Sequence, residues 1–416
     1  MSPIRIGIIG MGGFAAWHHN TIARLEERGQ ARLICTCDPQ AGSFTLEQQN
    51  WRFAERGVAV FGDYKAMLAA CHRDLDLLVV PTPINLHAEM HRAGVELGIP
   101  VYLEKPPTLD YLELEEMITR DRQARRASLV GFNFIIEKPR LALKKRILAG
   151  EFGATQGASL MALWPRPADY FRRNNWAGRL MMDGRVVLDS CMGNALAHFV
   201  HNMLFWLGGP EQFSWGEIAG VRAELYRAHA IEGADTFFVE ATTAAGTTLR
   251  LALSHACAGH SQHAETVQCE KAEIRYIVGQ QAEIRWRDGR IERLPLEPFD
   301  GLHDNHLDYH RYLRGEQSRP ATTLADSRPF VVLNDLAHVS SGRIAPFPAA
   351  LLTGLRDEKE QKDYFNVAGM QRAVEAFITQ GAWPGPAGWG RDTGARATPA
   401  DLPRFHDTVR AMLAAR

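Results

Sequence analysis

The chain has 416 residues, too many for one ordinary core of about 100–150, so two domains or a domain with a large second layer are expected. Forty-seven basic against forty-eight acidic residues give a formal net charge of -1, which argues against an obligate nucleic-acid binder and its clustered positive excess. With 46% hydrophobic and 23% charged residues, the composition is globular rather than disordered. No apolar run approaches the ~20 residues of a membrane helix, and no basic segment with a long apolar run opens the sequence. A soluble, cytoplasmic protein without membrane or nucleic-acid partners is expected. Cys35, Cys37, Cys71, Cys191, Cys257 and Cys269 form no CxxC pair, so packed free thiols are expected rather than zinc ligands or disulfides.

The first third alternates short apolar runs with amphipathic stretches, the pattern of βαβ units and a doubly wound parallel sheet. Strands are predicted over 4–9, 32–37, 75–80, 101–103 and about 129–132. Helices are predicted over 13–28, 43–56, 86–97 and about 111–125, the third stopped by Gly98. Near residue 135 the pattern changes. A basic helix over 139–148 leads into strand-like segments at 158–163, 213–225, 237–243, 247–255, 265–269 and 272–286. Gly246 and Asp288-Gly289 read as hairpin turns. An α+β domain with a large open, mainly antiparallel sheet is therefore expected, with a helix over 195–207 embedded in it. The pattern turns helical again from Ala325, and the last stretch reads as a loop-rich extension. The domain boundaries expected are 1–133, 134–345 and 346–416.

Gly10-Met11-Gly12-Gly13-Phe14-Ala15 fits G-x-G-x-x-G/A, directly after a predicted strand and opening a predicted helix. Gly10 permits the tight turn, Gly12 lets backbone approach a pyrophosphate, and Ala15 allows close helix–strand packing. The phosphates would sit on free amides at the helix start. Asp38 ends the second strand, 26 residues beyond Gly12, where its carboxylate can accept hydrogen bonds from ribose hydroxyls. No arginine stands beside it to neutralise a 2′-phosphate, so NAD is favoured over NADP. A tight turn in an α/β fold that binds no nucleotide is the plainer alternative.

Three further blocks, read with this one, resemble the Gfo/Idh/MocA oxidoreductase family. Thr82-Pro83-Ile84-Asn85-Leu86-His87 is similar to the family's TPxxxxH loop beside the nicotinamide, here one residue shorter. Glu104-Lys105-Pro106 is similar to its EKP motif, and Gly131-Phe132-Asn133 to its domain junction. The resemblance spans roughly residues 4–345. It implies a Rossmann domain joined to an open antiparallel sheet, and oxidation or reduction of a sugar, cyclitol or related carbonyl compound. It also implies that Thr82, Pro83, His87, Glu104, Asn133 and Trp176 lie about the cofactor.

Lys105 has a case of its own, since it follows a strand at the carboxyl edge of a parallel sheet, where such folds bind ligands. There it can exchange a proton with an alcohol oxygen while hydride moves, provided its surroundings lower its pKa. The second catalytic block departs from the family's GGxLxDxGxH. Aligned from the right, His198 takes the histidine position and Asn194 the aspartate position, four residues earlier on the same helical face. Aligned from the left, Asp189 matches the aspartate, with about five extra residues before the histidine. His198 is read as a proton donor or relay, and His201 as structural. The segment 170–179 mixes aromatic, amide and guanidinium groups suited to a polyhydroxylated ring, with arginine available for a carboxylate or phosphate. His303, His306 and His310 have helical spacing, but nothing around them makes a metal signature, and no metal is expected.

These readings converge on an NAD(H)-dependent oxidoreductase acting on a CH–OH group, with Lys105 handling the proton. A redox-neutral NAD-dependent glycosidase or lyase, and a non-catalytic NAD or sugar sensor, are the rivals. Exposed sheet edges would need cover, so a homodimer or homotetramer is expected.

Overall fold

The computed structural model describes residues 2–415, which divide into two compact units. The first comprises residues up to Thr108, Leu112–Asn133 and Asp300–Ser327. The second comprises Leu109–Tyr111, Phe134–Phe299 and the chain from Arg328 onward.

The first unit is built on six strands: β1 (Ile4–Ile9), β2 (Ala31–Cys37), β3 (Ala59–Phe61), β4 (Leu77–Val80), β5 (Val101–Leu103) and β6 (Leu129–Val130). They pair in parallel in the order β3-β2-β1-β4-β5-β6, so strand order reverses between β1 and β4. All residues of β4 and β5 are buried, as strands covered on both faces must be. The helix Gly301–Leu313 returns the chain to this unit, where the Tyr309 hydroxyl donates to the carbonyls of Val101 and Ala127.

Two expectations need correction here. The edge strand β3 is absent from the expected elements, because its apolar run is only three residues long and stays mostly exposed. The helix predicted over 43–56 is broken, with Arg52 in the left-handed region at φ 54°. Packing outweighs propensity there: the Trp51 ring stacks on His19 and Phe53, and its indole N–H donates to Asn20 at 2.7 Å.

The second unit holds β7 (Thr155–Leu163), the short pair β8 (Met181–Met182) and β9 (Arg185–Val186), then β10 (Ile218–Arg227), β11 (Thr236–Thr243) and β12 (Thr248–Ser254). There follow β13 (Gln262–Cys269), β14 (Ala272–Ile277), β15 (Gln281–Trp286), β16 (Ile291–Arg293) and β17 (Ile344–Pro346). Nine of these form one sheet in the order β16-β15-β14-β13-β7-β12-β11-β10-β17. It is mainly antiparallel, as expected, with parallel pairing only of β7 with β12 and β10 with β17. The segment read as one strand over 272–286 is a hairpin, turning at Gly279 with φ +67°.

A buried charge cluster joins this sheet to two helices, Lys138–Leu148 and Ala197–Leu207. The Glu265 carboxylate accepts from Arg140 at 2.6 and 3.2 Å, from Asn202 at 2.8 Å and from the Trp206 indole at 2.6 Å. Glu265 pairs with Leu160, whereas the neighbouring Met161 pairs with Ala252 on the opposite face. That opposite face carries the C-terminal chain. Contrary to the loop-rich expectation, the chain there forms the hairpin β18 (Leu352–Asp357) and β19 (Lys362–Val367) and the helices Met370–Gln380 and Phe405–Ala414. Val374, Phe377 and Trp389 pack on Leu163, Tyr226, Phe238 and Ala252 in one core cluster.

Burial also sets an acid response. Desolvation pushes His19 and His338 down to about 4 and His255 and His310 down to about 3. Their folded-state values lie below the ordinary 6.5, so below that pH the unfolded chain binds the protons first. Their contribution is complete above about pH 6.5 and is lost as pH falls towards the folded values. The thermal midpoint is expected to fall clearly between about pH 7.5 and about pH 5. An unchanged midpoint over that range contradicts the neutral buried state of these histidines.

Candidate active site

The turn after β1 is shaped by its glycines. Gly10 has φ +116° and Gly13 φ +56°, and a Cβ on Gly10 would meet that of Ala15 at 3.4 Å. The helix Phe14–Glu27 that follows has no side-chain cap, so its first N–H groups point out of the turn unclaimed by any capping side chain. Met11 is buried, while Phe14 and Trp17 are exposed. One oxygen of Asp38 accepts from the Met11 N–H at 3.0 Å and the other from Gln40 N–H at 2.8 Å. The acidic residue thus sits against the glycine turn, at the carboxyl ends of β1 and β2. Uncapped amides and a half-buried carboxylate at a reversal of strand order suit the pyrophosphate and ribose of a dinucleotide.

Beyond β4, His87 is buried and joins two loops. Its Nε2 is 2.8 Å from the Thr82 carbonyl oxygen and its Nδ1 3.0 Å from that of Pro106. Burial lowers its pKa, against the opposing effect of these carbonyls. His87 therefore fixes the loop of Thr82 and Pro83 to the Glu104-Lys105-Pro106 turn. Glu104 is also buried. Its Oε1 is 3.1 Å from His18 Nε2, and its Oε2 accepts from the Lys105 N–H at 3.2 Å. A Cβ on Gly131 would lie 2.8 Å from Glu104 Oε1, so glycine there is what admits the carboxylate. Asn133 accepts from the Tyr102 hydroxyl at 3.2 Å. Lys105 is half-buried.

The histidines behind this turn were not assigned to it from sequence. His18 Nδ1 is 3.0 Å from His306 Nε2, and both rings pack on Tyr102. Burial holds His306 well below 6.5. His303, His306 and His310 share helical spacing, and no group of three residues that could hold a metal exists among the described residues. His18 lies three residues past Ala15, a spacing that could have drawn attention to it.

In the second unit, Cys191–Ala195 form a single π-helical turn just before the helix Ala197–Leu207. These five residues lie between Asp189 and His198. Ser190 caps the turn by accepting from the Gly193 N–H at 2.9 Å. Asp189 and Asn194, the two alternatives for the family aspartate, are brought together: the Asn194 amide donates to Asp189 Oδ1 at 2.7 Å. Asp189 is buried and its other oxygen accepts from the Gly178 N–H at 2.6 Å. His198 begins the helix, half-buried, with its ring 5.0 Å from that of Phe134. His201 faces the core against Trp215. Trp176 is half-buried, and the Arg173 guanidinium lies over its ring.

Residues 4–132 match the family model described as an oxidoreductase family with an NAD-binding Rossmann fold, GFO_IDH_MocA. This region, less than half of the chain, is similar to the Gfo/Idh/MocA oxidoreductases. An inositol 2-dehydrogenase of Rhizobium meliloti is 24% identical over 180 residues, covering 41% of this chain and 49% of that protein. A glycosyl hydrolase family 109 protein of Shewanella pealeana is 22% identical over 154 residues, 37% of this chain and 34% of that protein. The chain thus spans half or less of the length of these curated relatives. The WlbA dehydrogenase of Bordetella pertussis, solved with NADH and UDP-GlcNAcA, superposes with a TM-score of 0.65 at 22% identity. That match covers 82% of this chain and 96% of the other, and it shows the shared two-part fold. No helix among the described residues is long and apolar enough to cross a membrane.

Proposed function

We propose that this chain is an NAD(H)-dependent oxidoreductase that transfers hydride between nicotinamide and a CH–OH carbon of a sugar, cyclitol or sugar derivative. The observation that carries the reading is the Gly10–Ala15 turn with Asp38 hydrogen-bonded to it, in a region that matches an NAD-binding family. Gly10, Met11, Gly12, Gly13 and Phe14 are the phosphate-side contacts in this reading, and Asp38 the ribose contact. Thr82, Pro83, His87, Glu104, Asn133 and Trp176 are assigned to the nicotinamide side. When bound, NAD supplies the hydride acceptor. Lys105 takes the hydroxyl proton as the carbon is oxidised and returns it in reduction. His198 relays that proton, and Asn194 orients the hydroxyl. The reading assigns residues 1–133 to the nucleotide, 134–345 to the substrate and assembly, and 346–416 to an extension.

Asp38→Ala is expected to weaken NAD binding by roughly tenfold and to narrow its preference over NADP. Calorimetric titration of both nucleotides checks this, and an unchanged ratio removes Asp38 from the ribose. The function itself is tested by screening purified protein for net NADH formation with cyclitols, aldoses, uronates and sugar phosphates.

The relative named as a glycosyl hydrolase favours one second reading, a redox-neutral reaction in which hydride leaves and returns within a turnover. On that reading the chain would hold NAD and form no net NADH during turnover. Assembly as a homodimer or homotetramer and a cytoplasmic setting belong to the same proposal. The six cysteines, all free and buried, agree with a reducing compartment. Light scattering on the purified chain tests the assembly.

A further inference from the structure

The segment between β7 and β8 in the second unit carries Trp164, Arg166, Tyr170, Arg173 and Trp176. The Arg166 guanidinium carbon lies 4.6 Å from the ring centroids of both Trp164 and Tyr170. That of Arg173 lies 3.9 Å from the Tyr170 centroid and 4.9 Å from that of Trp176. Two cations therefore share one tyrosine ring, within roughly the 8–10 Å over which charges still interact in physiological salt. Their compensation is unequal. Arg173 Nη2 is 3.7 Å from Asp189 Oδ2, and its Nη1 donates to the Tyr170 carbonyl at 2.8 Å. Arg166 has no carboxylate within ion-pair distance among the described residues, and its buried Nε has no hydrogen-bond partner.

A guanidinium stacked on aromatic faces still has in-plane N–H groups to offer, in the fork that matches a carboxylate or phosphate. The arginine is also held in place. The Arg166 N–H donates to the His255 carbonyl at 3.2 Å, and its own carbonyl oxygen is 3.1 Å from His229 Nε2. His229 is fixed in turn by Asp235 at 2.7 Å, and its ring packs between Phe171 and Phe365 of β19. The C-terminal hairpin thus braces the segment. Trp164 also lines a cleft of about 370 Å³ with Leu196, Phe199 and His263, a volume at the small end of ligand sites.

We infer that Arg166 and Arg173 form an anion subsite that reads a carboxylate or phosphate on the substrate. The compound oxidised is then an acidic sugar derivative rather than a neutral sugar or cyclitol. This rests on the oxidoreductase reading for the chemistry, but the binding it requires can be measured separately.

The test is calorimetric titration of the full chain with matched panels of uronates and aldonates, sugar phosphates, and the neutral sugars of the same rings, alongside net NADH formation. An acidic compound is expected to bind about 10–100-fold more tightly than its neutral counterpart. Arg166→Ala removes that margin and leaves neutral binding unchanged, and Arg166→Lys restores it only in part. Arg173→Gln, at an exposed position, narrows the margin independently should Arg166→Ala fail to fold. Whether carboxylates or phosphates show the margin identifies the group. Equal affinity for neutral and acidic compounds, an unchanged margin in both variants, or no binding by any acidic compound overturns the subsite. Arg166-dependent binding without NADH formation from any compound keeps the subsite and removes the dehydrogenase reading. NADH formation from a neutral sugar with no dependence on Arg166 does the reverse.

Discussion

Lys105→Ala is expected to lower turnover by about 10²–10⁴ while leaving NAD affinity within a small factor. The assignment makes Lys105 the group that exchanges the hydroxyl proton, and alanine removes that acceptor. The backbone around it has other supports. Glu104 is held by His18 and by the Lys105 N–H, and Pro106 by His87, so removing the lysine side chain leaves the turn in place. Lys105→Arg keeps the charge but cannot give up a proton near neutrality, so it is expected to be nearly as impaired. Steady-state rates with parallel nucleotide titration separate the two properties. Turnover equal to that of the unaltered chain would remove Lys105 from the proton transfer.

Glu265→Gln is expected to destabilise the second unit by about 3–5 kcal/mol. The carboxylate is fully buried and accepts from Arg140, Asn202 and Trp206. Arg140 is equally buried, stacked against Trp206 and Tyr276, and keeps Glu137 as its second partner. An amide in place of Glu265 leaves that cation half compensated and sets an N–H₂ against at least one donor. The helix Ala197–Leu207 hangs on this cluster through Asn202 and Trp206, so His198 at its start shifts with it. The thermal midpoint is expected to drop on the order of 10 °C, with a loss of activity that exceeds the loss of nucleotide binding. A midpoint within about 1 °C of the unaltered chain contradicts the account of the cluster.

The unit built on the parallel sheet was the most legible part of the sequence. Buried parallel strands are near-continuous apolar runs, so Ile4–Ile9 and Val101–Leu103 could be bounded to the residue. The glycine turn and Asp38 announced themselves by residue type, because few side chains fit where Gly10 and Gly13 sit. What escaped was set by partners far along the chain. The break at Arg52 follows from Trp51 packing on His19, and the His18–Glu104–His306 contacts join three distant segments. The hairpin β18–β19 turns without glycine, placing Gln361 at φ 56°, so no turn signal marked it. The helix Met370–Gln380 was readable in principle, since Gly369 and Gly381 flank it in the left-handed conformation. Around His198 the sequence left two alignments, and neither described the π turn that brings Asp189 and Asn194 into one hydrogen bond.

The central claim is net hydride transfer from a substrate carbon to the nicotinamide, and isotope transfer addresses it most directly. The purified chain would be incubated with NAD and an active compound carrying deuterium on the reacting carbon, and the released nucleotide examined by mass spectrometry. The account predicts stoichiometric NADH bearing one deuterium on the nicotinamide ring. Product formed with deuterium retained and no net NADH would contradict it and establish the redox-neutral reaction instead.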